Sequence, residues 1–137
     1  MPIRIVPPPV KKFILVESDE QLENDGEPTV VFIRPAVQGD EEMRNRLFTS
    51  VTSEYVQDAI VSSSTLSIDD LRRVEVFLTL ADSNLLGYDG KPLFLFENER
   101  LSTTEFEFDK VWGQLPNVIA EEIIRYVLEV NQQWTVS

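Results

Sequence analysis

The chain has 137 residues, 42% of them hydrophobic, with 24 acids against 12 bases and neither histidine nor cysteine. That size and apolar content predict one globular domain over residues 1–137, able to bury a core without disulfides or metals. The net charge of −12 opposes binding to nucleic acid or to an anionic membrane surface, and the missing His and Cys remove the usual neutral-pH base, thiolate nucleophile and transition-metal ligands. The longest apolar runs, such as Phe13–Val16, are too short to cross a bilayer. No apolar stretch precedes a small-residue cleavage site, so no signal peptide is expected.

Residues 1–11, with Pro2 and the run Pro7-Pro8-Pro9, should lie extended, because proline fixes φ and removes the backbone donor. Lys12–Glu17 reads as a short strand rich in β-branched and aromatic residues, and Thr29–Arg34 as a second that Pro35 ends. Between them, residues 18–28 form an acidic connector (Asp19, Glu20, Glu23, Asp25, Glu27) broken by Gly26. The connector is long for a hairpin, but the two strands match in length and should pair antiparallel. A solvated loop explains the connector; a mobile arm meeting a basic partner is its functional reading.

From Asp40 the apolar period becomes helical. Asp40, Glu41 and Glu42 stand where a helix dipole favours negative charge, and Met43, Leu47, Val51, Tyr55 and Ala59 follow at four-residue steps. Ser62–Thr65 breaks that helix. Ser67 then caps the next, with Asp70 as capping-box partner, Leu66 and Leu71 as staple, and Leu71, Val74, Phe77, Leu78 and Ala81 as the apolar face. The same syntax recurs with Ser102 as cap, Glu105 as box partner and Leu101/Phe106 as staple, followed by Phe108, Val111, Trp112 and Leu115. Pro116 opens a final helix whose face is Ile119, Ile123, Tyr126, Val127, Val130 and Trp134. The intervening Gly87–Pro92 is a turn leading into Leu93–Phe96, a third strand or an extended loop tucked into the core. The expected fold is α+β: a small N-terminal antiparallel β element followed by a bundle of about four helices.

No catalytic constellation stands out. Asp82-x-Asn84-x-x-Gly87 begins like an EF-hand loop, but Leu86 and Leu93 occupy the fifth and twelfth positions, so a helix C-terminus entering a Gly-ended turn is the better reading. The carboxylates Asp69/Asp70, Glu121/Glu122 and 40–42 fall in expected first helical turns, which already explains them. Ser62–Ser64 lacks a base, and the five glycines are too scattered to cradle phosphate. Arg34, Arg44, Arg46, Arg72 and Arg73 have acids nearby in sequence and are expected to form ordinary surface pairs. No catalytic, cofactor-binding or metal-ligating residue is therefore assigned.

Aromatic residues concentrate at the end of the chain: Phe106, Phe108, Trp112, Tyr126 and Trp134. Most should fill the contact between the last two helices, and any that remain exposed suit a protein interface, with Trp134 the leading candidate. The string Phe108-x-x-x-Trp112-x-x-Leu115-Pro116, the Ile/Val-rich helix after it and Asn131-x-x-Trp134 resemble the tail assembly chaperones of long-tailed bacteriophages. Pro28–Ala36 looks like the opening of such proteins, and Gly90–Phe94 like the turn before their final helices. The resemblance covers residues 28–134 through order and spacing. It implies a non-catalytic protein of the host cell cytoplasm that needs no cofactor and binds the tape measure protein and tail tube subunits during tail assembly. Nucleic acid and membrane are not among its expected partners, and self-association stays open. The residues expected to contact a partner or support the contact are Phe108, Trp112, Leu115, Ile123, Tyr126 and Trp134. Alternatives are a structural protein of the tail or head–tail connector, an acidic inhibitor mimicking DNA, and a hydrolase built on convergent carboxylates of perturbed pKa.

Overall fold

The computed structural model describes residues 3–6, 8–17, 22, 27–57 and 68–135, with 48–57 described as helical backbone alone. The expected helix end at Ala59, the break at Ser62–Thr65, the Ser67 cap with its Leu66 staple and most of the 18–28 connector lie outside the described residues. So do the side chains of Val51 and Tyr55.

The architecture is α+β. Strands β1 (Lys11–Ile14) and β2 (Val30–Ile33) precede helices α1 (Gln38–Gln57) and α2 (Ile68–Thr79). Next come β3 (Leu80–Ser83), β4 (Phe96–Glu97) and β5 (Arg100–Leu101), then α3 (Glu105–Trp112), α4 (Asn117–Val130) and a 3₁₀ turn at Gln132–Trp134. β1 and β2 pair antiparallel as expected, with Phe13 opposite Val31, and Leu15 N–H extends the ladder to Thr29 O at 2.9 Å. The sheet order β1-β2-β3 adds a strand from beyond α2. The central position of β2 explains why Val-Val-Phe-Ile is the strongest strand signal: Val31 and Ile33 are wholly buried.

Ala81 therefore lies in β3 and not on a helix face. α2 passes into β3 without a loop, Thr79 Oγ1 turning back onto Glu75 O at 2.8 Å and Thr79 O accepting Arg34 N–H at 2.9 Å. The chain does not run from a helix C-terminus into Gly87, because Asp82 and Ser83 belong to the sheet. The turn at 87–91 is closed by Gly87 N–H to Lys91 O (2.8 Å), with Gly90 at φ 78°, where glycine avoids a Cβ clash. Leu93–Phe96 is mostly an irregular segment that bends at Leu93 and Phe94: Phe94 is buried, and β4 begins only at Phe96.

The cap of α3 is Thr104 and not Ser102. Ser102 N–H is held by Leu95 O at 2.9 Å, so the chain stays extended beside the β4–β5 hairpin, and Thr104 Oγ1 then accepts Glu107 N–H at 3.1 Å. Phe106, freed from any staple, points to solvent. α4 starts after Pro116, whose carbonyl takes the first helical N–H groups, of Ile119 and Ala120. It stops before Trp134, because Asn131 leaves helical geometry (φ −115°, ψ 66°).

The core lies between one face of the sheet and α2, α3 and α4. Phe13, Leu15, Val31 and Ile33 meet Val76, Leu80, Phe94, Phe108, Ile119, Ile123, Val127 and Trp134 in one cluster. On α4, Ile119, Ile123 and Val127 recur every four residues and form its buried stripe.

Candidate protein-binding surface

The six expected contact residues divide evenly. Phe108, Ile123 and Trp134 are interior, Trp134 being 3% exposed. Trp112, Leu115 and Tyr126 are half-buried and pack against the same core cluster. Phe108 is the hub, its ring 5.7 Å from Trp112, 5.9 Å from Phe94 and 5.4 Å from Phe77. These geometries suit offset aromatic packing and hold Trp112 against the core, with one side left toward solvent.

Trp134, the leading contact candidate from sequence, is instead the plug of a polar cage. Its indole N–H donates to Glu41 of α1 (3.0 and 3.1 Å), Arg44 lies over its ring at 5.2 Å, and its carbonyl accepts from Arg72 of α2 at 3.0 Å. Buried Asn131 sets up this turn. Its Oδ1 accepts Ala36 N–H at 2.7 Å, and its Nδ2 donates to Arg34 O and Val127 O. Asn131-x-x-Trp134 thus ties the end of α4 to the β2–α1 junction, to α1 and to α2.

Of the five arginines expected at the surface, Arg34, Arg44 and Arg72 instead form interior ion pairs, while Arg46 is exposed. Fully buried Glu75 accepts from Arg44 Nε and Arg72 NH1, each at 2.7 Å. Arg34 pairs with buried Asp40 at 2.6 Å and donates to Leu78 O, while Arg100 reaches the other Asp40 oxygen at 3.0 Å. Burial works to raise the Asp40 pKa, but hydrogen bonds from Arg34, Val37 N–H and Arg100 outweigh it, so the carboxyl is more acidic than usual. The bond to Val37 N–H (3.0 Å) is the backward half of a capping box at the start of α1.

Glu122 is also fully buried, midway along α4, and no dipole argument explains it. It accepts Val16 N–H (2.8 Å), Glu17 N–H (3.3 Å) and the Tyr126 hydroxyl (2.5 Å). Tyr126 stacks on Phe13 at 4.4 Å and also donates toward Ile14 O at 3.1 Å. Together Glu122 and Tyr126 close the outer edge of the N-terminal strand where it leaves the sheet. Desolvation, reinforced by the Glu122 hydrogen bond, pushes the Tyr126 pKa up to about 12. Beside it, a hydrogen bond from Arg125 lowers the pKa of Glu17.

Glu105 and Asp109, one turn apart on α3, both have raised pKa values, in each case chiefly through desolvation. Arg73 approaches Asp109 at 2.9 Å and Asp70 at 3.0 Å, so this group pins α3 to α2 by ion pairing. Among the described residues, no group of three or more carboxylates is placed to hold a metal ion, and no helix is long and apolar enough to cross a membrane.

Sequence reasoning missed Phe106 as a surface feature. It is 67% exposed, with Lys110 one turn on lying over its ring at 4.4 Å. The signal was present: two residues of α-helix turn the chain by about 200°, so Phe106 and Phe108 cannot share a face. With half-buried Trp112 and Leu115 and the exposed Val118, Phe106 gives the stretch from α3 into α4 its accessible apolar groups. Comparisons of the chain with protein-family models, with curated proteins and with solved structures find no match.

Proposed function

We propose that this chain is a tail assembly chaperone of a long-tailed bacteriophage. In this reading it works in the host cell cytoplasm, without catalysis or cofactor, and holds the tape measure protein and tail tube subunits until they are assembled. The observation that carries the reading is the exposed Phe106 on a helical unit that also carries half-buried Trp112 and Leu115 and is fixed from within by Phe108, Ile123 and Trp134. Large aromatic groups on a rigid helical unit are what an amphipathic helix needs for docking, because binding then orders few side chains. The acidic balance of the chain favours partner segments that are neutral or basic. Consumption of Asp40, Glu75 and Glu122 in buried hydrogen bonding removes acids that a DNA mimic would display.

The test is affinity capture of the tagged chain from cells producing the phage, read by mass spectrometry beside purified particles. Capture of a long helical tail protein, with the chain itself absent from particles, is the expected result. Phe106→Asp should cut that capture tenfold or more while changing folding stability by less than about 0.5 kcal/mol, the usual range for an exposed site. Stoichiometric presence in particles would make the chain a structural component, and capture of a host DNA-binding enzyme would make it an inhibitor.

A further inference from the structure

The start of the chain is chemically unlike the rest. Residues 1–16 contain Arg4, Lys11 and Lys12 and no acid, whereas all 24 acids fall from Glu17 onward. Within this basic segment, Ile3, Ile5 and Val6 belong to no helix or strand and are 96%, 89% and 79% exposed.

A second apolar feature lies on the outer face of the sheet. Lys12 stands opposite Phe32, Ile14 opposite Val30, and Phe32 opposite Asp82, so these residues share the face away from Phe13, Val31 and Ile33. Two residues beyond Ile14, Val16 continues that alternation and is 62% exposed. Ile14 is also exposed, and Phe32 is half-buried outside the core cluster. An antiparallel sheet with one solvated face normally shows polar residues there; this one carries Lys12 and Asp82, but also Ile14, Val16 and Phe32, with Val30 beside them buried.

Arm and face are exposed in the same chain, so the arm does not cover its own sheet. Pro8 and Pro9, just ahead of β1, fix φ and restrict how far the arm can turn back toward Ile14 and Val16. We propose that the arm of one copy lies on the outer sheet face of a second copy, Ile3 and Ile5 against Ile14 and Val16. Charge selects this occupant. A basic arm is drawn to an acidic body, and the remainder of the chain is acidic, which repels nucleic acid and anionic lipid. Each copy offers one arm and one face, so the exchange closes as a two-fold dimer. The inference does not depend on the chaperone reading.

Sedimentation velocity of the full chain over a wide concentration range should show a dimer that weakens with salt. Ile5→Asp and, separately, Val16→Asp should each weaken it at least tenfold. An equal mixture of the two variants should associate again, because one arm and one face remain intact. The chain has no cysteine, so Ile5→Cys on one chain and Val16→Cys on another should form an intermolecular disulfide on oxidation. A monomer throughout, a dimer indifferent to both aspartates, a mixture that restores nothing, or a disulfide formed within single chains carrying both cysteines would each overturn the proposal.

Discussion

Replacing Trp134 by alanine separates a core role for the C-terminal turn from a contact role. The indole is 3% exposed inside the core cluster, and truncating a buried aromatic to alanine costs about 3–5 kcal/mol through lost burial and an unfilled cavity. Its N–H bond to Glu41 adds little, because that carboxylate is half-exposed and recovers water. The Arg44 contact is worth about 0.5–1 kcal/mol, and it overlaps with the burial figure. Against this, the turn is near a chain end and can detach without unfolding the sheet, which reduces the loss. A destabilisation of about 3–4 kcal/mol is expected, lowering the urea midpoint by about 1.5–2 M for a slope near 2 kcal/mol/M. Urea titration followed by circular dichroism and by the remaining Trp112 fluorescence measures it. Trp134→Phe, which keeps most of the volume and loses the N–H, should cost about 1–2 kcal/mol. An unchanged midpoint for Trp134→Ala together with lost partner capture would refute the reasoning and return Trp134 to the surface.

Other expectations follow from individual sites. The β4–β5 turn holds Asn98 and Glu99 at φ 53° and 59°, a left-handed pair in which glycine is preferred second, so Glu99→Gly should stabilise by about 1 kcal/mol and raise the melting temperature by about 3–5 °C. The Asp40 pKa lies below its unfolded value of about 3.9, so the stability it contributes is complete above that pH and is lost as pH falls through the folded value. Asp40→Asn should flatten this acid limb in pH-dependent urea titrations and, by leaving Arg34 buried without its counterion, cost about 3 kcal/mol at neutral pH. Tyr126 has the opposite sign: with a folded pKa of about 12 against 10 unfolded, its contribution is full below pH 10 and is lost as pH rises toward 12. Spectrophotometric titration should show one late phenolate step that Tyr126→Phe removes.

Much of the fold was legible because its signals are local. Val30–Ile33 is a short apolar β-branched run between breakers, and Ile119, Ile123 and Val127 repeat at helical spacing, so strand and helix follow from pattern alone. The third sheet strand was not legible, because Leu80 and Ala81 also continue the helical period of α2, and only the vacant edge of β2 decides between the two states. The cap of α3 was misplaced for a similar reason. Ser102 satisfies the local capping rule, but its N–H is already engaged by Leu95, seven positions earlier. Buried Glu122 was read as dipole-bound and Glu75 drew no reading, because their partners, the Val16 and Glu17 amides for the first and Arg44 for the second, are remote in sequence.

The residues that carry the family resemblance are those with the heaviest structural duties. Phe108 gathers the aromatic cluster, Pro116 accepts the first N–H groups of α4, Asn131 ends that helix by binding the β2–α1 junction, and Trp134 plugs the space between α1 and α2. A string built from such positions describes a scaffold, and a scaffold does not choose its partner. Partner choice therefore falls to side chains that the scaffold leaves in water and that the fold does not need. Phe106 and Val118 meet both conditions on the α3–α4 unit, and Ile5 and Val16 meet them on the arm and the sheet. Substituting the first pair should alter which protein is captured, and substituting the second should alter how many copies act together. If either pair moved both properties equally, the two surfaces would be one.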